Sequence, residues 1–351
     1  MRRTLRTIAL AALSLVSGVA CQPRTASTPA QKPIVIGLSL DTVREERWQR
    51  DRDQFVAHAE SLGARVLVQV ANNDDARQNA QAENLLTQGV DVLVVAAHNS
   101  EIAATIVAAA HRAGVPVVAY DRLINGCDLD LYISFDNLRV GEMQAEYALA
   151  HRPKGNYVLI AGAPTDNNAH LYHDGQMKVL QPAIDRGDVH VVGDQWANDW
   201  QPVEALKIME NALTRNGNRV DAVVVSNDGL AGGAIQALSE QQLAGRVVVT
   251  GQDAELAACQ RVVAGSQSMT VYKPIHALAA RGAEVAILLA RKERVPDATR
   301  TLGNGFKDVP AILIAPVAVD RDNLAGTVIA DGFHTLADVY RDLPREQWPK
   351  P

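Results

Sequence analysis

Three cations in this sequence stand beside or directly behind short apolar runs: Arg47, Arg122 and Lys273. Carboxylates occupy matching places at Asp121, Asp166 and Asp253, and the amides Asn168 and Asn227 join them. Carboxylates accept hydrogen bonds, cations donate them, and amides do both. A phosphate or carboxylate guest would call for an excess of donors and cations; a cationic guest would call for the reverse. A balanced set suits a neutral polyol, because each hydroxyl both gives and takes hydrogen bonds. Unpaired buried charge is costly, so the same groups are expected to pair with one another. At any single position a plainer reading competes, since loops are polar and Asp or Asn commonly opens a helix as its N-cap. Asp75, Asp136 and Asp228 need nothing more than that. Capping does not account for Arg122 or Lys273, long cations placed straight after apolar strands.

Two tryptophans fit the polyol reading. A sugar ring shows an apolar C–H face, for which an indole is a flat apolar platform. Trp48 lies between Arg47 and Gln49, and Trp200 follows Asn198-Asp199, both outside apolar periodic runs. The competing reading is that a tryptophan in a folded domain is core. Trp196, beside an apolar strand, is expected to be core, and Trp348 lies in an uninterpreted tail.

Catalysis finds little support. The sequence has no Gly-x-Ser-x-Gly elbow, no HExxH, no phosphate-binding Gly-x-x-x-x-Gly-Lys-Ser/Thr loop and no GxGxxG after its first strand. The nine histidines are scattered singly. Paired carboxylates could run glycoside hydrolysis, which is the alternative reading. Here each Asp has a cation or amide beside it, which favours the ionised acceptor over a general acid. No metal site or cofactor is expected.

The elements that position these residues alternate regularly. Strands are expected at 33–40, 64–71, 90–97, 115–122 and 131–135, with helices at 47–62, 75–88, 101–113 and 140–150. These strands are apolar without polar alternation, as parallel strands covered on both faces are. The pattern restarts after Pro153-Lys154-Gly155, with strands at 156–161, 189–195, 222–226, 247–250 and 268–272. Helices at 170–184, 202–214, 230–242, 255–263 and 275–292 separate or follow them, Pro182 being expected to break one last turn. The rhythm fades in the last third, where 299–302 and 311–317 are expected strands. Two successive βαβ series predict an α/β protein of two doubly wound lobes with parallel sheets. The candidate residues then fall at carboxyl ends of strands, the edge where open α/β sheets bind ligands.

A chain of 351 residues with 47% hydrophobic content can bury two cores. Its net charge of -6 argues against a nucleic-acid partner, whose phosphates want a basic face. Residues 1–21 are expected to be an export signal: Arg2, Arg3 and Arg6 precede an apolar stretch from Ile8 to Val16 that is too short to span a bilayer. Gly18-Val19-Ala20-Cys21 suits ordinary cleavage with Cys21 as a passenger, or a lipobox with Cys21 lipidated. The polar stretch 22–31 is the expected tether. Cys127 and Cys259 show no zinc spacing and are expected to be unpaired small hydrophobes.

Taken together, Glu46–Asp53, Ala119–Asn125, Tyr132–Asn137, Pro164–Ala169, Val192–Trp196, Ala205–Leu213 and Met269–Ile275 resemble the periplasmic sugar-binding proteins of the ribose/galactose type, over about residues 32–334. The resemblance implies two similar lobes joined by three crossing segments, one formed by 32–138 plus 274–309 and the other by 139–273 plus 310–334. The role of 335–351 is left open. It implies sugar contacts from Arg47, Asp121 and Arg122 on the first lobe and from Asp166, Asn168, Asn227 and Asp253 on the second. Lys273 would lie near a crossing, and Trp48 and Trp200 would sandwich the ring. The guest implied is a neutral monosaccharide, D-xylose first, held by a monomer and passed to an ABC-type membrane permease. A sensory role, presenting the sugar to a membrane receptor or kinase, is the other reading. Sugar-responsive repressors share the fold but carry a helix-turn-helix where this chain has its leader.

Overall fold

The computed structural model describes residues 32–349. The expected signal, Cys21 and the 22–31 tether lie outside those residues. Residues 33–349 belong to one compact unit.

Apolar runs rich in Val and Ile form buried strands, and amphipathic segments between them form the covering helices. In chain order the first series is β1 (Val35–Leu40), α1 (Glu46–Ser61), β2 (Arg65–Val70), α2 (Asp75–Thr87), β3 (Val92–Ala96), α3 (Ala104–Arg112), β4 (Val117–Tyr120), β5 (Leu131–Phe135) and α4 (Asn137–His151). The second is β6 (Gly155–Ala161), α5 (Asn167–Asp185), β7 (Val189–Trp196), α6 (Pro202–Asn216), β8 (Ala222–Val225), α7 (Asp228–Glu240), β9 (Val248–Val249), α8 (Leu256–Ala264), β10 (Met269–Tyr272) and α9 (Ile275–Ala290). The chain closes with β11 (Arg300–Gly303), β12 (Asp308–Ile314), β13 (Val317–Asp320) and α10 (Leu336–Tyr340).

Two sheets organise two lobes. The larger has the order β11-β12-β5-β4-β3-β1-β2, parallel except for the edge hairpin β11–β12. The smaller has the parallel order β7-β6-β8-β9, with β10 and β13 as a separate antiparallel pair. Each sheet is covered on both faces by apolar clusters, as a parallel sheet requires.

The chain passes between lobes three times: at Asp136 after β5, at Lys273-Pro274 after β10, and at Ala315-Pro316 after β12. The last crossing corrects the expected boundary between 309 and 310, which would cut β12 in two. All of β12 pairs with β5 or β11 in the larger sheet. The apolar run from Ala311 to Val317 hides the break; Pro316, with no backbone N–H to give a ladder, marks it.

Other local expectations shift as well. Pro182 does not break α5, which continues to Asp185. The proline faces solvent, and the carbonyl it leaves unpaired belongs to exposed Lys178. The tail is folded: Val339, Tyr340 and Trp348 pack with Cys259, Val262 and Val263 of α8, so 335–349 covers one side of the second lobe. Cys127 and Cys259 are buried, unbonded and in different clusters. Trp196 is half-buried, and it lies against His170 and His173. Among the described residues, no helix is long and apolar enough to cross a membrane.

Candidate functional site

The carboxyl ends of β1, β4, β6, β8, β9 and β10 converge on the gap between the lobes. All ten residues expected from the sequence line one cavity there: Arg47, Trp48, Asp121, Arg122, Asp166, Asn168, Trp200, Asn227, Asp253 and Lys273. Glu45, Tyr172 and Gln252 complete its wall. The space open to water-sized groups is about 30 Å³, so the two lobes stand close together around it.

On the first lobe the charges are locked together. The Arg47 guanidinium donates from Nε and Nη2 to Asp51 Oδ2 (3.0 and 2.9 Å) and from Nη2 to Asp121 Oδ2 (2.9 Å). Tyr120 donates its hydroxyl to Asp51 Oδ1 (2.6 Å). Arg122 Nη1 donates to Asp41 Oδ2 (2.7 Å) and to the Ala97 carbonyl (3.0 Å). Both guanidinium carbons lie over the Trp48 ring, at 4.3 and 5.2 Å from its centroid, a cation–π arrangement that fixes indole and cations together.

Asp121 has a left-handed backbone, φ 63°, which a non-glycine residue adopts only when its surroundings impose it. Three donors on its carbonyl impose it here: Tyr132 Oη (3.0 Å), Ser134 Oγ (2.6 Å) and Asn168 Nδ2 (3.0 Å). Burial alone would raise the Asp121 carboxyl, but Arg47, Lys273 and Arg122 outweigh it and hold the group below its usual range. At Asp166 the balance runs the other way, and burial pushes the carboxyl up against the pull of Arg122. A neighbouring cation therefore does not decide every carboxylate, contrary to the sequence-based expectation.

On the second lobe, helix caps aim the side chains. Asp166 caps α5, its Oδ1 accepting from the Asn168 N–H (2.9 Å). Its Oδ2 faces the cavity, where it accepts from Trp200 Nε1 (3.2 Å) and meets Arg122 Nε at 2.9 Å. Asn227 caps α7 by accepting from the Leu230 N–H (2.9 Å). Capping and site lining are thus done by the same residues, since the cap fixes the rotamer that points the remaining polar atom inward. The Trp200 ring lies flat over Gly162, where an added Cβ would stand 2.0 Å from the ring. Only glycine admits that approach.

Asp253, φ 97°, sits between the two halves. Its Oδ1 is 2.9 Å from Lys273 Nζ and 3.7 Å from Arg47 Nη1, but neither contact has hydrogen-bond geometry. Gln252 Oε1 and Glu45 Oε2 are likewise buried acceptors with no hydrogen-bond partner. A buried acceptor left unmade costs about 1–3 kcal/mol, so Gln252 Oε1 and Glu45 Oε2 on one cavity wall describe a surface suited to hydroxyl donors. Acids also outnumber cations around the cavity, because Asp41 and Asp51 back the two arginines. That excess disfavours an anionic guest.

Sequence reasoning missed three wall residues. Glu45 and Gln252 lie close to expected residues in the chain, whereas Tyr172 sits inside a helical pattern without a signal of its own. Among the described residues, no group of three or more His, Cys, Asp or Glu is placed to hold a metal ion.

Comparison with known proteins follows the geometry. Residues 36–294 match the family described as the periplasmic binding protein domain. The chain is 55% identical over 314 residues to a D-xylose-binding periplasmic protein of Haemophilus influenzae, covering 90% of this chain and 94% of that one. It is 54% identical over 308 residues to the D-xylose-binding periplasmic protein of Escherichia coli, covering 88% and 93% respectively. A carbohydrate transporter solute-binding protein of Chloroflexus aurantiacus, solved with D-glucose, superposes with a TM-score of 0.81 at 32% identity, covering 88% of this chain and 98% of that one.

Proposed function

The chain belongs to the periplasmic binding protein family, and from that premise we propose that it is an exported receptor for D-xylose. It encloses the neutral sugar between its lobes and delivers it to an ABC-type permease. Its relatives are sugar-binding transport proteins, not enzymes, and the glycosidase alternative falls away. The observation that carries the reading is the pair of partnerless buried acceptors, Glu45 Oε2 and Gln252 Oε1, beside the ion-paired Asp253 on the cavity that all ten expected residues line.

In this reading Arg47, Asp121 and Arg122 engage hydroxyls from the first lobe. Asp166, Asn168, Asn227 and Asp253 do so from the second, with Lys273 at the crossing, while Trp48 and Trp200 cover the ring faces. Closure follows from that division. A ligand shifts a two-state protein only through its differential affinity for one state, and a change from mostly open to mostly closed takes roughly 5.5 kcal/mol. Hydrogen bonds to charged groups contribute about 1.5–3 kcal/mol each, so a few such bonds formed on closing suffice. Cys21 is the proposed lipid anchor, holding a monomeric receptor at the outer face of a membrane through the 22–31 tether. A thermal-shift screen of common aldoses is the test. D-xylose should give the largest rise in melting temperature, and a panel without any response would overturn the reading.

A further inference from the structure

Outside the cavity, one histidine joins the lobes. His98 follows β3 on the first lobe, and its backbone N–H donates to Gln78 Oε1 (3.0 Å), which fixes its position. Its ring lies between two carboxylates, with Nδ1 2.9 Å from Asp75 Oδ1 of α2 and Nε2 3.4 Å from Asp199 Oδ1 of the second lobe. Asp199 belongs to the short turn that carries Trp200, and both residues have left-handed backbones, φ 49° and 55°. The Asp199 carbonyl accepts from Arg44 Nη2 of the first lobe (2.7 Å). The turn that sets the Trp200 platform is thus tied across the cleft at two points.

A neutral imidazole has one N–H and one lone pair. Donating to Asp75 through Nδ1, it presents its lone pair to the Asp199 carboxylate, and the two repel. Only the imidazolium donates to both. We propose that His98 is a protonation-dependent latch: its cationic form ties Asp199, and with it the Trp200 turn, to the first lobe and so stabilises the closed, sugar-holding state.

The charged groups acting on the ring are Asp41 from the segment after β1, Asp75 from α2, and Asp199 from the opposite lobe; Arg122 lies behind Asp41, and Arg44 binds the Asp199 carbonyl. Burial would lower the His98 pKa, but Asp41, Asp75 and Asp199 outweigh it and raise it above the ordinary 6.5. Asp41 and Asp75 act on the ring whether the cleft is open or closed, so only the Asp199 share couples to closure. That share raises the closed-state pKa above the open-state one. The added affinity is complete below the open-state value and is lost as pH rises through the closed-state value.

The latch rests on the sugar-receptor reading, and one experiment separates the two. Stopped-flow release of D-xylose is measured at pH 5.5 and 8.0 for the wild type, His98→Gln and Asp199→Asn. Asn tolerates the left-handed turn, so Asp199→Asn guards against a merely misfolded His98→Gln. The wild type should release sugar about three- to tenfold faster at pH 8.0, a ratio set by a pKa difference of up to about one unit. Both variants should flatten that ratio. Equal wild-type rates at the two pH values, or an undiminished ratio in both variants, overturn the latch while the sugar reading stands. Absence of D-xylose binding at either pH defeats both.

Discussion

The two halves of the cavity wall are built by different means. On the first lobe, Arg47 and Arg122 are held by acids of their own lobe, Asp51, Asp121 and Asp41, and by Trp48 beneath them. From the other lobe Asp166 meets Arg122 at 2.9 Å and Asp253 stands 3.7 Å from Arg47, so that half needs no guest to neutralise its cations. On the second lobe, Asn227 is aimed by its cap, Gln252 keeps a partnerless acceptor, and Asp253 Oδ1 has only its ion pair with Lys273. The difference separates two jobs. The first lobe presents a preformed docking face whose ion pairs also stabilise that lobe, and the second supplies contacts that are satisfied only when a hydroxyl-bearing guest is enclosed.

Breaking the first half should therefore cost stability. Arg122→Met would leave Asp41 buried without its direct ion-pair partner, and losing one partner of a buried pair costs about 3–5 kcal/mol. The sugar-free protein should melt roughly 4–8 °C below wild type by calorimetry, with D-xylose binding abolished. A variant that melts normally would show that Arg122 is not needed to neutralise that half.

Breaking the second half should cost affinity alone. Asp253→Ala removes an acceptor that bridges Lys273 and the cavity. At about 1.5–3 kcal/mol for a hydrogen bond to a charged group, D-xylose binding should weaken roughly ten- to a hundredfold, while Asp121, which also acts on Lys273, keeps that cation compensated and the sugar-free melting temperature near wild type. If the sugar-free variant unfolds instead, Asp253 is structural and the contrast between the halves fails.

Much of this was legible in the sequence, and the limits have physical causes. The alternation of apolar runs and helical segments located the two lobes, and eight polar residues near the ends of apolar runs together with two tryptophans gave ten positions that share one cavity. Long cations after apolar strands had no local explanation, so Arg122 and Lys273 were readable. Tyr172 was not, because a cavity-lining tyrosine on α5 has the same period as a core one. The third crossing escaped for a similar reason: Ala311–Val317 is a continuous apolar run that changes lobes at Pro316. His98 stands alone in the chain, and its two carboxylates, 23 and 101 positions away, meet it only through the fold. Local chemistry is written locally; pairings across the cleft are not.

The central claim is that acids, cations and amides from both lobes are matched to an uncharged, hydroxyl-covered guest. Titration calorimetry of the full protein with D-xylose and with D-xylose 5-phosphate tests it most directly. D-xylose should bind with micromolar or tighter affinity, about -8 kcal/mol or better. The phosphate should bind at least ~100-fold more weakly, because the acids around the cavity leave no unopposed cation to offset its buried charge. Equal or tighter binding of the phosphate would contradict the account.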